Sequence, residues 1–208
     1  TTCRAPVPGA AATSEVGDSS VTSNWSANGN PALTLYSAQV STDLFATVNR
    51  SSATIGLSAQ FNGLLANTTY YLRVRSVGIN GAPSAFTTLP STITSAFFPG
   101  QAVPAFPAVD VASVSVAWTN GGNPGGTRYT AQVSTDAFAT VLRASETFNL
   151  SVVFGSGGEG PALAPNTTHY FRVSPLGAGG QGPFVSLGAT STLAALPLAA
   201  AASFGAGE

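Results

Sequence analysis

Apolar and polar residues alternate with a period of two along most of this chain, and helical periodicity is scarce. Val21, Ser23 and Trp25 fall on one side of a run, as do Val114, Val116 and Trp118 further on. Tyr36, Ala38 and Val40 form a second face, matched by Tyr129, Ala131 and Val133. Tyr70, Leu72 and Val74 alternate with Tyr71, Arg73 and Arg75. Their later counterparts are His169, Phe171 and Val173, alternating with Tyr170, Arg172 and Ser174. A period of two is the signature of a strand with one buried face. The segments between these runs are rich in turn formers: Asn28-Gly29-Asn30-Pro31, Asn80-Gly81, Asn120-Gly121-Gly122-Asn123-Pro124 and Gly177 to Gly182. Glycine supplies positive φ, asparagine tolerates it, and proline cannot continue a ladder. Short strands separated by turns predict an all-β chain of the sandwich type.

The strand runs occur twice because the chain is duplicated. Ala38-Gln39-Val40-Ser41-Thr42-Asp43 recurs as Ala131-Gln132-Val133-Ser134-Thr135-Asp136, and Phe45-Ala46-Thr47-Val48 as Phe138-Ala139-Thr140-Val141. The only two tryptophans, Trp25 and Trp118, hold matching places 93 residues apart. Asn67-Thr68-Thr69 returns as Asn166-Thr167-Thr168, 99 residues on, so the second copy carries six extra residues. They fall in the glycine-rich stretch Gly155 to Pro165, which reads as a flexible insertion. A period this long suits a whole small domain rather than a solenoid unit. The expected domains are 1–95 and 96–193. Pro6, Pro99 and Pro197 align, as do Phe106 and Phe204. Residues 194–208 are therefore expected to be the opening strand of a further repeat, or a strand donated to a neighbour, with Leu198 and Phe204 as its anchors.

Within each copy a tryptophan closes an early strand and a tyrosine opens the next. There follows the run Leu64-Leu65-Ala66-Asn67-Thr68-Thr69-Tyr70, and in the second copy Leu163-Ala164-Pro165-Asn166-Thr167-Thr168-His169. With these features each copy resembles a fibronectin type III domain, and the chain resembles tandem fibronectin type III domains of a bacterial extracellular repeat protein. The resemblance implies two tandem immunoglobulin-like β-sandwiches with Trp25 and Trp118 in their cores. It also implies that Tyr70 is a corner tyrosine whose hydroxyl ties the strand to a nearby backbone carbonyl. His169 stands at that place in the second copy and is expected to substitute with an imidazole N–H. The resemblance is specific for the fold and says little of function.

Composition narrows the function. Charged residues are 7% of the 208, all seven basic residues are arginines, and the formal net charge is −1. Such a chain offers no field to attract nucleic acid or an anionic bilayer. No apolar run is long enough to span a membrane. The surface must be built from small and uncharged polar residues. It suits a protein that packs against copies of itself or carries sugar, although biased genome composition explains the same numbers. Methionine is absent even at position 1, as expected of a chain processed or cut from a longer one, and the lone Cys3 permits no internal disulfide.

Catalytic and ligand chemistry is hard to assemble from these residues. No nucleophile elbow is present, the acidic residues are scattered, and the repeated Asp43 and Asp136 read as turn caps. A single histidine and a single cysteine cannot make a zinc site. The expectation is therefore no catalytic, cofactor or metal residues. Tyr71 and Tyr170 point away from the core and are candidate sugar platforms, but the favoured reading is that arginine planes lie over their rings on an ordinary sheet face. Sequons occur at Asn24, Asn49, Asn67, Asn149 and Asn166. Asn24 adjoins the core, which leaves Asn49, Asn67, Asn149 and Asn166 as candidate N-glycosylation sites. The expected role is a non-catalytic extracellular or cell-surface module: a spacer, stalk or self-assembling filament segment, with adhesion as a consequence. Its partners would be copies of itself, neighbouring repeats or glycans. The alternative is a carbohydrate-binding or spacer module beside a secreted polysaccharide-degrading enzyme.

Overall fold

The computed structural model describes residues 3–177 and 179–197; Leu198 and Phe204 lie outside them. All regular elements among the described residues are strands. The first repeat supplies β1 (Val7–Ser14), β2 (Ser20–Ser26), β3 (Leu35–Ser41), β4 (Arg50–Thr54), β5 (Ser58–Asn62), β6 (Thr69–Val77) and β7 (Thr87–Ile93). The second supplies β8 (Gly100–Gln101), β9 (Ala108–Val109), β10 (Ser113–Thr119), β11 (Arg128–Ser134) and β12 (Arg143–Thr147). It continues with β13 (Ser151–Gly155), β14 (Thr168–Gly177), β15 (Gly180–Gln181) and β16 (Val185–Ser191). By compactness the chain forms two units. One holds the chain through Gly100 with Asn120–Thr130 and Ser174–Val185. The other holds Gln101–Thr119, Ala131–Val173 and the chain from Ser186.

The first repeat makes a three-stranded sheet in the order β1-β2-β5 and a four-stranded sheet in the order β4-β3-β6-β7. Their pairings are antiparallel, with Val21 opposite Phe61, Tyr36 opposite Ser76 and Gln39 opposite Arg73. The inward residues of both sheets meet in one buried cluster. Val21, Trp25 and Phe61 come from one side, and Tyr36, Val40, Leu72, Val74 and Leu89 from the other. Interdigitation of two inner faces is what defines a β-sandwich. Each buried aliphatic side chain of this size contributes about 1.5–3 kcal/mol by leaving water.

The second repeat has the same plan. One sheet runs β13-β10-β8, with β9 also on β10; the other runs β12-β11-β14-β15, with β16 also on β14. Val114, Val116, Trp118 and Phe154 are buried from the first of these, and Tyr129, Val133, Phe171 and Val173 from the second. Where the first repeat has Leu72 the second has Phe171, whose ring centroid lies 6.0 Å from Phe154 and 5.3 Å from Phe106. The opening strand differs as well. β1 runs for eight residues, whereas its counterpart is split into β8 and β9. Pro104 and Pro107 stand where the first repeat has Ala11 and Ser14, and a proline has no N–H to give a ladder.

The glycine-rich insertion is a clasp rather than the flexible loop its composition suggests. Gly155 N–H donates to Glu159 O at 3.1 Å and Glu159 N–H donates to Val153 O at 2.7 Å, a parallel bridge along the outer edge of β13. The Arg143 guanidinium holds it from below, donating to the Pro161 carbonyl and, at 3.5 Å, to those of Glu159 and Ala162. Glycine at 158 is needed because a Cβ there would stand 2.1 Å from Val153 O. The matching edge of β5 has only β2 beside it among the described residues.

Candidate functional site

Trp25 and Trp118 are almost fully enclosed, with 3% and 2% of their surface exposed. Each donates its backbone N–H at 3.0 Å across to the next edge, Trp25 to Leu57 O and Trp118 to Leu150 O. The Trp25 ring is 5.7 Å from Tyr36, tilted by 54°. Neither indole presents a face to solvent, so neither offers a sugar platform.

The corner residues are also enclosed, and the geometry corrects the expected bond. The Tyr70 hydroxyl accepts from the backbone N–H of Leu65 at 2.8 Å, rather than donating to a carbonyl. The corner is completed by Thr94, buried beneath it. Its hydroxyl donates to Leu65 O at 2.6 Å and accepts from Thr68 N–H at 3.1 Å. In the second repeat Thr192 makes the same pair of bonds, to Ala164 O at 2.6 Å and from Thr167 N–H at 3.1 Å. His169 does not reach across the turn as the tyrosine does. Its Nδ1 lies 2.9 Å from Thr167 O, so the Nδ1–H tautomer donates locally. Its Nε2 is buried without a partner. Burial lowers the His169 pKa below the ordinary 6.5, with Arg143 adding to the effect and the Thr167 bond opposing it. Thr94 and Thr192 escaped notice in the sequence, although their matched places in the two copies were the available signal.

The repeated aspartates build a loop. Asp43 accepts from Thr47 N–H at 2.9 Å, Thr47 Oγ1 at 2.7 Å and Ser41 Oγ at 2.7 Å. Asp136 repeats this with Thr140 and Ser134. These bonds, from Thr47 foremost in one and Ser134 in the other, hold both carboxyl pKa values down to about 2. The loop backbone passes through the left-handed region at two successive non-glycine residues, Leu44 and Phe45 (φ 57° and 69°), then Ala137 and Phe138 (53° and 69°). Such residues cost about 1–3 kcal/mol each unless their surroundings hold them. The aspartate bonds hold them here, and the result is a phenylalanine turned back onto the sheet.

That phenylalanine meets an arginine. Arg73 Cζ lies 4.1 Å from the centroid of Phe45 and 4.0 Å from that of Phe86, and its Nε donates to Gln39 Oε1 at 2.8 Å. Arg172 stands 4.1 Å from Phe138 and donates to Gln132 Oε1 at 2.8 Å. The arginines thus stack on phenylalanines, where the neighbouring Tyr71 and Tyr170 were expected. Arg75 also stacks on Phe86, at 4.5 Å, and its Nε is buried without a hydrogen bond. The position equivalent to Arg75 is Ser174. It was expected on an exposed face but is buried, with its hydroxyl donating to Gly182 O at 2.5 Å.

Among the sequons, the Asn24 amide is occupied, donating to Ala11 O and Ser14 Oγ at 2.9 Å. Asn49 is exposed and uses Oδ1 to accept from Thr42 N–H at 2.7 Å. Asn67 is half-buried, whereas Asn149 and Asn166 are exposed. No group of three or more His, Cys, Asp or Glu able to hold a metal occurs among the described residues. No helix among them is long and apolar enough to cross a membrane.

No protein-family model matches the chain, and no curated protein matches it in sequence. Solved structures do. A two fibronectin type-III domain segment from chicken tenascin is matched at 14% identity and a TM-score of 0.63, over 91% of this chain and 100% of that one. The FN1–FN3 domains of chicken CNTN1 are matched at 16% identity over 91% of this chain and 67% of that one, with a TM-score of 0.38. A structure described as a myokine is matched at 16% identity and a TM-score of 0.39, over 45% of this chain and 99% of that one. The tenascin segment, matched over its whole length, shows the fold: two tandem fibronectin type III sandwiches.

Proposed function

We infer that this chain is a non-catalytic structural module of an extracellular, bacterial repeat protein, serving as a spacer, stalk or filament segment. One observation carries the reading. The charged and polar groups that the two repeats share, Asp43 and Asp136, Arg73 and Arg172, Gln39 and Gln132, are engaged in the same scaffold contacts in both copies. Residues of the types that perform chemistry elsewhere hold turns and sheet faces here. Each repeat, 1–95 and 96–193, acts as one load-bearing unit around its tryptophan.

Assembly is the second part of the proposal. A low-charge exterior reduces the electrostatic cost of bringing copies together. Residues 194–208 contribute the opening strand of a further repeat or a strand donated to a neighbour, with Leu198 and Phe204 as anchors. Glycans on Asn49, Asn67, Asn149 or Asn166 would supply the hydration that the few charges do not. Stretching the chain from its ends should give two separate unfolding events, and a single smooth extension would refute the load-bearing role. In electron micrographs Phe204→Asp should abolish higher-order assembly and leave the sandwiches folded. Polymer unchanged by that substitution would refute strand donation.

A further inference from the structure

Two backbone groups on the outer margin of β5 match a pair that the second sandwich fills with its own chain. In the second repeat Val153 O and Gly155 N–H point away from β10, and both bond Glu159. Gln60 and Asn62 hold the equivalent places, because Trp25 N–H bonds Leu57 O just as Trp118 N–H bonds Leu150 O. Alternate residues of an antiparallel strand bond to opposite sides. Leu57, Ala59 and Phe61 thus bond toward β2, and Ser58, Gln60 and Asn62 turn their N–H and C=O groups outward. These three residues are exposed, and β5 pairs only with β2 among the described residues. The clasp on β13 demonstrates that a backbone fits this lane at full hydrogen-bonding distance, 2.7 Å from Glu159 N to Val153 O.

An unpaired edge ordinarily carries a charge, a proline or a bulge that turns other strands away. β5 has none of these. Its register with β2 is unbroken, and no charged residue occurs from Ser51 to Leu72. The edge also complements itself. A two-fold axis through Gln60 sets Gln60 opposite its own copy and Ser58 opposite Asn62, so every facing pair is polar and uncharged. Arg50 donates to Gly63 O at 3.1 Å, just beyond the end of the strand. The two-fold sends the two arginines to opposite ends of the pair, about 20 Å apart along the strands. We propose that β5 joins two copies of this chain, edge to edge and antiparallel, through the outward backbone groups of Ser58, Gln60 and Asn62. The β1-β2-β5 sheets of the two copies become one. Such a contact uses the same surface on both copies and closes at two. The clasp denies the same contact to β13. The pairing rests on the self-assembly reading above, but it needs neither residues 194–208 nor Phe204.

Sedimentation equilibrium of the whole chain tests it in a Phe204→Asp background, which removes an anchor of the donated strand. That chain should be a reversible dimer at about 100 μM. Gln60→Lys and Gln60→Glu should each weaken dimerisation at least about tenfold, because the two-fold brings like charges face to face. An equimolar mixture of these two variants should dimerise again, since lysine then faces glutamate. Ile79→Lys adds a charge at an exposed place outside β5 and should change the constant less than about twofold. Circular dichroism verifies that each variant folds. A monomeric parent, a dimer indifferent to the Gln60 substitutions, or no recovery on mixing overturns the proposal. Polymer persisting in the Phe204→Asp background refutes donation alone, and the loss and recovery at Gln60 decide β5 separately.

Discussion

Asn123 grips Phe97 by both of its backbone polar groups. Phe97 N–H donates to Asn123 Oδ1 and Asn123 Nδ2 donates to Phe97 O, each at 2.8 Å. The side-chain amide imitates a strand partner. Asn30 does the same to Arg4, with both bonds also at 2.8 Å. Each amide makes one more bond within its own turn, to Asn120 O or to Ala27 O. Asn123 is buried and Asn30 is half-buried. Asn123→Ala should therefore cost about 1–3 kcal/mol, because it strands buried groups, and Asn30→Ala about 1 kcal/mol. Urea unfolding of the two variants gives the order, which should not reverse.

Trp118→Ala should unfold the second repeat or destabilise it by roughly 3–5 kcal/mol, the range for removing a large enclosed aromatic. Trp25→Ala should do the same to the first. Urea midpoints followed by circular dichroism measure both. A loss below about 1 kcal/mol would contradict the burial of these indoles.

Tyr70→Phe should cost about 1–2 kcal/mol, since Leu65 N–H loses its acceptor while the ring keeps its packing. Amide exchange at Leu65 should rise, and the bonds of Thr94 should leave the neighbouring amides protected.

Stability should depend on pH in two separate windows. His169 has a folded pKa below 6.5, so the unfolded chain takes up a proton that the folded chain refuses. The contribution is fully present above about pH 6.5 and is lost as pH falls toward the depressed folded value. Asp43 and Asp136 are held at about 2 against an ordinary 3.8. Their contribution is present above about pH 4 and is lost between there and about pH 2. His169→Tyr should flatten urea midpoints between pH 8 and 5, and Asp43→Asn with Asp136→Asn should remove the more acidic slope.

The strands were legible because burial follows the alternation in the runs that build the core, with Tyr36, Ala38 and Val40 inward and Arg73 and Arg75 outward, although buried Ser174 breaks it. The aspartate turns were legible because Ser-Thr-Asp carries its own local bonding. Longer-range relations were not. Arg73 adjoins Tyr71 along one face of the strand. Its actual rings, Phe45 and Phe86, come from segments on either side in the sequence and arrive only through sheet pairing and the aspartate loop. The direction of the Tyr70 bond was hidden because a hydroxyl both donates and accepts; the orphaned N–H of Leu65 decides it. Glycine content at 155–160 suggested freedom, whereas Gly158 is small because backbone passes over it.

That last crowding turns one methyl group into a switch between two kinds of sheet margin. Alanine at 158 would push the clasp off Val153 and uncover a strand that the first repeat already leaves open. A single small substitution would then give the second sandwich a rim receptive to lateral growth, where its sequence now keeps the seam shut.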